Sequence, residues 1–298
     1  MTNLSRRSLL KSFGAWSLAG AAAASWQGLK GQAWAQDAMN TMRVLPTEGS
    51  IVQLPKQGAT LHSYVSPEAG VLVTSHIIET ERQLVIVDTT LLPNTAAELR
   101  SYADSLGKPI DRVIISHAHP DHWSGLTSFG DVPIVTTANV RADIAQQVNA
   151  DTPLPANALD ETATLTAGNE VLDGLTFEYL LYDDAEAPEQ IVVHLPELGI
   201  LVAQDLVYNN VYFFPGTNRA NWISILQSLQ TMDNADVILP GHGFPTTRGE
   251  LDSAIDFLNV FNEAVEAATD EASLQDALRQ AYPNYGGAFL LNFVGMAL

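Results

Sequence analysis

Three histidines and one aspartate lie within six residues of one another, directly after an apolar run that ends at Ile115. The segment reads Ser-His-Ala-His-Pro-Asp-His-Trp over residues 116–123. Neutral imidazole nitrogens and carboxylate oxygens are the ligands that bind zinc and ions of similar character. The His-Ala-His alternation lets its two rings meet at one ion, while Asp121 and His122 can turn toward a second ion. The segment therefore predicts a metal site in the loop at the end of a strand.

This His-x-His-x-Asp-His pattern after an apolar strand resembles the signature of the metallo-β-lactamase superfamily of dinuclear metallohydrolases. The resemblance implies an α/β fold of the α+β kind, a four-layer αββα sandwich with the metals at one edge. We therefore expect His117 and His119 to bind the first ion, and Asp121 and His122 to face the second. Asp121 is also placed to accept a proton from the nucleophile, so we expect it to be catalytic.

Two later motifs fit the same resemblance. The apolar run at residues 200–204 reads as a strand that ends on Asp205, and in the superfamily such an aspartate bridges the two metals. The run that begins at Val237 continues into Pro-Gly-His-Gly, where glycines let the backbone and the ligand approach a metal closely. The resemblance implies that His242 binds the second ion.

One expected ligand departs from the common pattern. Most relatives carry Gly-His-Thr-x-Gly before the bridging acid, whereas residues 185–190 read Ala-Glu-Ala-Pro-Glu-Gln. This version resembles an alkylsulfatase-type branch in which an acid in a Glu-Ala-Pro context replaces the histidine. The resemblance implies that Glu186 completes the first site. Two alternatives remain open, which are Glu189 as the ligand or a loop that has lost its ligand, whereas His194 should point elsewhere.

The proposed carboxylates set the charge of the centre. Asp121, Glu186 and Asp205, together with a bridging hydroxide, would balance two divalent cations. Two Zn²⁺ ions are the predicted cofactor, and the hard oxygen ligands also suit manganese or iron. Asp88 follows an apolar run at the place where the superfamily carries an aspartate behind the metal loop, so we expect it to orient a ligating imidazole. His62 and His76 lie inside strand patterns and are interpreted as structural.

The composition of the chain excludes some kinds of stabilising bond and disfavours some kinds of partner. The chain has no cysteine, which excludes disulfides and thiolate ligands. It holds 14 Lys and Arg against 34 Asp and Glu, for a formal net charge of −20. Such a surface repels phosphate backbones and anionic lipids, so we expect a small-molecule substrate and no nucleic acid or membrane partner.

The first residues read as a targeting segment. Ser-Arg-Arg-Ser-Leu-Leu-Lys at residues 5–11 resembles a twin-arginine signal, a small-residue apolar run follows, and Ala-Trp-Ala at residues 33–35 fits a cleavage site. We expect residues 1–35 to be a signal peptide that directs the folded protein to the periplasm. No later apolar run reaches the length of a membrane span.

The rest of the chain alternates strand and helix patterns. Strands are predicted at residues 60–65, 71–78, 84–87, 112–115, 134–136, 170–172, 175–182, 190–194, 200–205 and 237–239, and helices at residues 94–106, 140–149, 251–269 and 274–282. We expect one metallo-β-lactamase-like domain at residues 36–250 and a C-terminal helical extension at residues 251–298. The apolar segment at residues 289–293 could dock onto the body of the domain or onto a second subunit in a homodimer.

The predicted reaction is hydrolysis of a small ester-like substrate, whether a carboxylic ester, a lactone or a sulfate ester. The alternatives are an amide hydrolase of the β-lactamase kind and a non-enzymatic metal-binding protein. Aromatic residues near the motifs could line an apolar pocket or fill the core; they are Trp123, Tyr208, Tyr212, Phe213, Phe214 and Trp222. Arg219 could anchor an anionic substrate group or lie on the surface.

Overall fold

The computed structural model describes residues 42–149, 153–216 and 218–298, and these belong to one unit of the fold. The predicted signal peptide lies outside the described residues. Within the described residues, no helix combines the length and the apolar character that crossing a bilayer requires.

The first sheet has seven strands that lie in chain order. They are β1 (Arg43–Val44), β2 (Ser50–Lys56), β3 (Ala59–Val65), β4 (Thr74–Glu79), β5 (Leu84–Val87), β6 (Ile110–Ile114) and β7 (Ile134–Val135). Strands β1 to β5 pair antiparallel, whereas β5, β6 and β7 are parallel. The parallel connections carry helices α1 (Pro93–Ser105) and α2 (Pro120–Trp123), with a 3-10 segment after α2 (Ser124–Phe129).

The second sheet has six strands in the order β13-β12-β11-β10-β9-β8. They are β8 (Gly168–Leu172), β9 (Leu175–Asp183), β10 (Glu189–Leu195), β11 (Ile200–Tyr208), β12 (Val237–His242) and β13 (Thr246–Thr247). Only the β11–β12 pair is parallel among these described strands, and it is joined through helix α4 (Arg219–Gln230). Helix α3 (Ala138–Gln147) precedes this sheet and is capped by the side chain of Thr137.

Helices cover the outer face of each sheet. Leu99 and Ala103 of α1 pack in one buried cluster with Ile86 of β5, and Leu226 and Leu229 of α4 pack in another with residues of β11. All four residues of β5 are buried, including those whose side chains point away from α1. Strands buried on both faces are typical of a sheet held between two layers. The predicted four-layer sandwich is confirmed.

The two sheets are joined directly at β4 and β12. The hydroxyl of Thr74 donates a hydrogen bond to the carbonyl of Pro240 at 2.5 Å, and Nε2 of His76 lies 2.9 Å from the same oxygen. His76 is therefore a buried structural residue, as is His62, which bonds Tyr102 and Glu79.

The strand predicted to begin at Val71 begins instead at Thr74. Val71 and Leu72 have φ angles of 55° and 58°, a left-handed conformation that an extended strand cannot contain. Their carbonyls accept hydrogen bonds from His242 and from the backbone N–H of Gly243. The turn thus attaches the first sheet to the histidine motif of the second.

The C-terminal region packs on the sandwich. Helix α5 (Glu250–Ala267) buries Phe257 and Phe261 against the second sheet and α4, so it completes that outer layer. Helix α6 (Glu271–Ala281) begins with a capping box between Asp270 and Ser273. A final 3-10 segment (Ala288–Ala297) buries Leu291 and Val294, so it docks on the body of the same chain.

Candidate metal centre

The predicted ligand segment lies at the carboxyl end of β6. His117 and His119 belong to the loop after the strand, and His119 is the N-cap residue of α2. Pro120 occupies the first position of this helix, where a missing backbone N–H costs nothing. One helical turn then brings Asp121 and His122 back toward the loop.

The first cluster joins residues from both halves of the chain. One donor atom from each of His117, His119, Glu186 and Asp205 lies within 4.8 Å of the others. Nε2 of His117 is 3.7 Å from a carboxylate oxygen of Glu186 and 3.7 Å from one of Asp205. Nδ1 of His119 is 3.1 Å from the other Glu186 oxygen.

The second cluster lies beside the first and shares Asp205. Nε2 of His242 is 3.3 Å from Asp121 and 3.4 Å from Asp205. Nε2 of His122 is 3.1 Å from Asp205 and 3.8 Å from Asp121. All seven predicted ligands are therefore brought together, and Asp205 lies between the two groups.

The donor set fits metal ions. Two donors on one tetrahedral zinc ion lie about 3.4 Å apart, because each lies about 2.1 Å from the ion. The separations between donors in both clusters fall around this value. Among the described residues, four buried donor atoms of the clusters have no hydrogen-bond partner; they are Nε2 of His117, Nε2 of His122, Oε2 of Glu186 and Oδ1 of Asp205. Buried polar atoms without partners are costly, and a shared cation would satisfy all four.

Three imidazole rings are fixed through their second nitrogen. Nδ1 of His117 lies 2.8 Å from the Ser116 hydroxyl, and Nδ1 of His122 lies 2.8 Å from Asp88. Nδ1 of His242 donates to the carbonyl of Val71 at 2.8 Å. Each bond leaves the Nε2 lone pair directed at the clusters, as partners of metal-binding histidines do.

Asp88 connects these supports. Its carboxylate accepts hydrogen bonds from the backbone N–H of Ser116 at 2.7 Å and the hydroxyl of Ser116 at 2.6 Å, and it also accepts from His122 and the side-chain amide of Gln204. Asp88 is fully buried and has a φ of 60°, and a strained backbone of this kind persists only when its surroundings hold it. The geometry agrees with the expected orienting role of Asp88, and this carboxylate links both sheets.

Asp205 does not end its strand, so that prediction is wrong. Strand β11 continues to Tyr208, and its pairing with β12 shifts register around Gln204, which has a φ of 45°. Such a bulge redirects the following side chain toward the sheet edge. A Cβ atom on Gly241 of β12 would lie 1.7 Å from Oδ1 of Asp205, so only glycine leaves room for this carboxylate.

The structure separates Glu186 from Glu189. Glu186 lies in the tight loop between β9 and β10, and its carboxylate faces His117 and His119. The carboxylate of Glu189 instead accepts hydrogen bonds from Thr137 and, at 2.8 Å, from Asn139. His194 likewise bonds elsewhere, to Glu178 and to the carbonyl of Asn234.

Opposite charges dominate the electrostatics of the clusters. Burial lowers the pKa of His119, but the carboxylates of Glu186, Asp121 and Asp205 together outweigh burial and raise this pKa to about 9. Burial is likewise outweighed at His242, where Asp205 and Asp121 raise the pKa to about 10. Burial raises the pKa of Asp205, yet His122 and His242 hold it well below its usual range. Positive charge is therefore strongly favoured here, and protons and metal ions compete for the same nitrogens.

Burial is the main cause of the pKa shifts of His117 and Tyr208. The pKa of His117 is well below its ordinary value because burial and the charge of His122 both disfavour its protonated form. Burial raises the pKa of Tyr208 well above its ordinary value, and Asp205 and Glu186 add to the effect. The Tyr208 hydroxyl donates to Asp205 at 2.5 Å, so it fixes the shared carboxylate.

A cavity of about 300 Å³ opens beside the clusters. Tyr208, Phe213 and Phe214 line it, so part of the predicted aromatic group does form a pocket. The others belong to the core; they are Trp123 and Trp222, whose indole N–H groups donate to backbone carbonyls, and Tyr212, whose hydroxyl donates to the carbonyl of Tyr282.

Arg219 does not face this cavity. Its side chain bonds Asn262 and the carbonyl of Gly216, and its guanidinium lies 5.5 Å from the ring centre of Phe261. The interpretation of Arg219 as a substrate anchor is therefore not supported by its position.

Some residues that hold the candidate ligands in place were not predicted from the sequence. Ser116 and Gln204 each directly precede a ligand candidate, and this position is a weak signal of a supporting role. The carbonyl of Val71 and the close approach at Gly241 carry no local signal, because both depend on the contact between the two sheets.

Comparisons with known proteins agree with this geometry. The sequence profile of the metallo-beta-lactamase superfamily matches residues 69–242. The chain is 25% identical over 227 residues to a linear primary-alkylsulfatase of Pseudomonas sp. (strain ATCC 19151), covering 58% of this chain and 42% of that protein. It is 27% identical over 218 residues to a metallo-beta-lactamase type 2 of Bacillus cereus, covering 70% of this chain and 82% of that protein. The chain thus spans less than half the length of the alkylsulfatase.

Solved structures of other proteins share this fold. A metallo-beta-lactamase from Pontibacter korlensis superposes with a TM-score of 0.57 at 21% identity, covering 70% of this chain and 99% of that one. Members of the superfamily bind metal ions, and the two His/Asp/Glu clusters lie where the signature motifs predict them. The chain belongs to the metallo-beta-lactamase superfamily of metal-dependent hydrolases.

Proposed function

We propose that this protein is an exported dinuclear metal-dependent hydrolase of a small ester-like substrate, such as a carboxylic ester, a lactone or a sulfate ester. The observation that carries the proposal is the convergence of seven His, Asp and Glu side chains on two adjoining clusters that share Asp205. His117, His119, Glu186 and Asp205 would hold one ion. Asp121, His122, His242 and Asp205 would hold the other.

Two divalent ions, with zinc as the leading candidate and manganese or iron as alternatives, would lower the pKa of water to about 7 and polarise the substrate oxygen. The protein supplies the arrangement around them. Asp88 and the Val71 carbonyl fix the rings of His122 and His242, and Tyr208 fixes Asp205. Asp121 borders the cavity and is 17% exposed, so its carboxylate can take a proton from a nucleophile there.

Export to the periplasm by the twin-arginine route is part of the proposal. It rests on the Arg6-Arg7 segment and on the Ala-Trp-Ala sequence at residues 33–35. This route carries folded proteins, which suits a metal site that is assembled before transport.

A β-lactamase-type amide hydrolase is the second candidate. The match to the Bacillus cereus metallo-beta-lactamase covers 82% of that protein and favours it. The Glu186 ligand and the alkylsulfatase match favour the ester-like substrate. A non-enzymatic metal-binding protein is the third candidate.

One experiment compares the three candidates. The mature protein is analysed for bound metal and assayed against a panel of aryl esters, aryl sulfates and lactones and against a chromogenic cephalosporin. We expect two ions per chain and turnover of an ester-like substrate. Turnover of the cephalosporin alone would support the amide hydrolase, and one ion or none without any turnover would support the metal-binding protein.

A further inference from the structure

The cavity beside the clusters has two unlike ends. At its inner end lie the ligand candidates, which are His119, Asp121, Glu186, Asp205 and His242. Toward the opening, the lining includes Phe214 together with residues of the C-terminal 3-10 segment, and among the described lining residues there is no Lys or Arg. A volume of about 300 Å³ is at the small end of the range for small-molecule sites. The space therefore suits a compact apolar group whose reactive end faces the clusters.

The outer wall is contributed by the C-terminal segment. Phe289, Leu290 and Phe293 border the cavity, and the Phe293 ring centre lies 5.3 Å from that of Phe214. These three residues come after residue 242, where the match to the superfamily profile ends. The wall is therefore a feature of this chain beyond the matched region.

Backbone hydrogen bonds hold the segment against the site. The N–H of Tyr212 donates to the carbonyl of Gly286 at 2.9 Å, and the N–H of Gly286 donates to the carbonyl of Asn210 at 2.9 Å. The N–H of Gly287 donates to the carboxylate of Glu68 at 2.8 Å. A Cβ atom on Gly287 would lie 2.5 Å from the Val211 side chain, so the contact is already close. These bonds place the start of the segment beside the residues that follow Tyr208.

Charge indicates which substrates enter. An acidic group at the outer end would lie against apolar side chains such as Phe214 and Phe293, and the described lining offers no Lys or Arg to pair it. An uncharged alkyl or aryl group would instead bury apolar surface against Phe214 and Phe293.

We propose that the C-terminal segment is the specificity wall of the enzyme and that the cavity binds the uncharged apolar group of a neutral ester. This inference rests on the proposed hydrolase function and names its substrate class. It predicts that substrates with a free carboxylate on this group are poorer substrates than neutral esters of similar size.

The test uses 4-nitrophenyl esters of acetate, butyrate, hexanoate and octanoate with the metal-loaded mature protein. We expect kcat/KM to rise about fourfold per methylene and to level off before octanoate, because burial of each methylene favours binding until the space is full. The hemisuccinate ester should be at least about tenfold poorer than butyrate, since its carboxylate has no partner.

Three variants locate the effect on the wall. Phe293→Arg should lower kcat/KM for hexanoate about tenfold, mainly through KM, and should raise the ratio of hemisuccinate to butyrate turnover by a similar factor. Phe293→Ala should move the preferred chain length toward octanoate. Met296→Arg is the matched control, because Met296 belongs to the same segment, is 75% exposed and does not line the cavity. It should behave like the parent.

Binding of 1-hexanol, followed by saturation-transfer NMR, separates this inference from the proposed function. Hexanol should bind the parent and Met296→Arg but bind Phe293→Arg more weakly, whether or not any ester is hydrolysed. Suppose that esters are hydrolysed but kcat/KM does not depend on chain length, and that neither Phe293→Arg nor Phe293→Ala changes this. That result would contradict the role of the C-terminal segment and leave the hydrolase function supported. Two bound ions without turnover of any substrate would overturn the hydrolase, and absence of hexanol binding would then overturn the wall as well.

Discussion

Replacing Glu186 by Gln removes one buried negative charge from the first cluster and keeps its volume. The carboxylate is 7% exposed and lies 3.1 Å from His119 and 3.7 Å from His117. His117, His119 and Asp205 remain as donors, so the ion would lose one of its two carboxylate ligands and keep both imidazoles. We expect metal affinity of the first site to fall roughly 10- to 100-fold, about 1.4 to 2.8 kcal/mol.

The assay is a competition titration against a chromophoric chelator at fixed pH, with metal analysis to follow the order of loss. The first site should empty before the second. Glu186→His should restore two tightly bound zinc ions, because it restores the common histidine ligand, and should favour anionic substrates more than the parent does, because the centre gains one positive charge.

Glu189→Gln is the matched control. It makes the same chemical change three residues away, where the carboxylate bonds Thr137 and Asn139 instead of the cluster. Its metal affinity should match that of the parent. The reasoning is refuted if Glu186→Gln binds two ions as tightly as the parent while Glu189→Gln does not.

Three further predictions concern other parts of the protein. His119→Ala and Asp121→Ala should each lose metal and at least about 100-fold in turnover, measured by metal analysis and steady-state kinetics; near-normal activity in both would contradict the dinuclear site. Lysine in place of both Arg6 and Arg7 should leave full-length precursor in the cytoplasm, whereas a periplasmic mature product on an immunoblot would indicate the general secretory route. Burial lowers the pKa of His76 to about 4, so the unfolded chain binds its proton first as the pH falls. The free energy of unfolding should therefore drop by about 2 kcal/mol between pH 7 and pH 5 through this residue, and urea titrations of His76→Gln should lack that part of the drop.

The candidate site could be predicted from sequence because residues 116–123 contain four ligand-type side chains close together. Short spacing limits where side chains can go, so four ligand candidates could be recognised within one loop and one helical turn, and the resemblance implied which ion each would bind. His242 was predicted in the same way, from a Pro-Gly-His-Gly motif after an apolar run that fits the resemblance. The sandwich was predicted through the resemblance that these motifs carry, and the alternation of strand and helix patterns is compatible with it.

The choice between Glu186 and Glu189 could not be made locally. Both acids belong to one short stretch, and the direction of each side chain depends on where β10 begins. The carboxylate of Glu189 is also held by a hydrogen bond from Thr137, the N-cap residue of α3, which lies 52 positions earlier in the chain. The left-handed turn at Val71 was missed for a related reason. Its cause is a bond from His242, which lies 171 positions away in the sequence.

The role of the last residues was left open for the same reason. An apolar segment can cover the body of its own chain or a second copy; the contacts of Leu291 and Val294 place it on its own chain, and a homodimer stays a prediction. That Phe293 also borders the cavity follows from the backbone bonds at Gly286 and Gly287.

The ligands are divided between the two sheets. His117 to His122 extend from the first sheet, whereas Glu186, Asp205 and His242 belong to the second. An ion bound by both His117 and Asp205 would therefore cross-link two segments that lie far apart in the chain, as a disulfide does in many exported proteins. In a chain without cysteine, the supply of metal ions would then contribute to how long the protein stays folded. Removal of the ions by a chelator would take away this connection and leave the direct hydrogen bonds between the sheets, such as the one from Thr74 to Pro240.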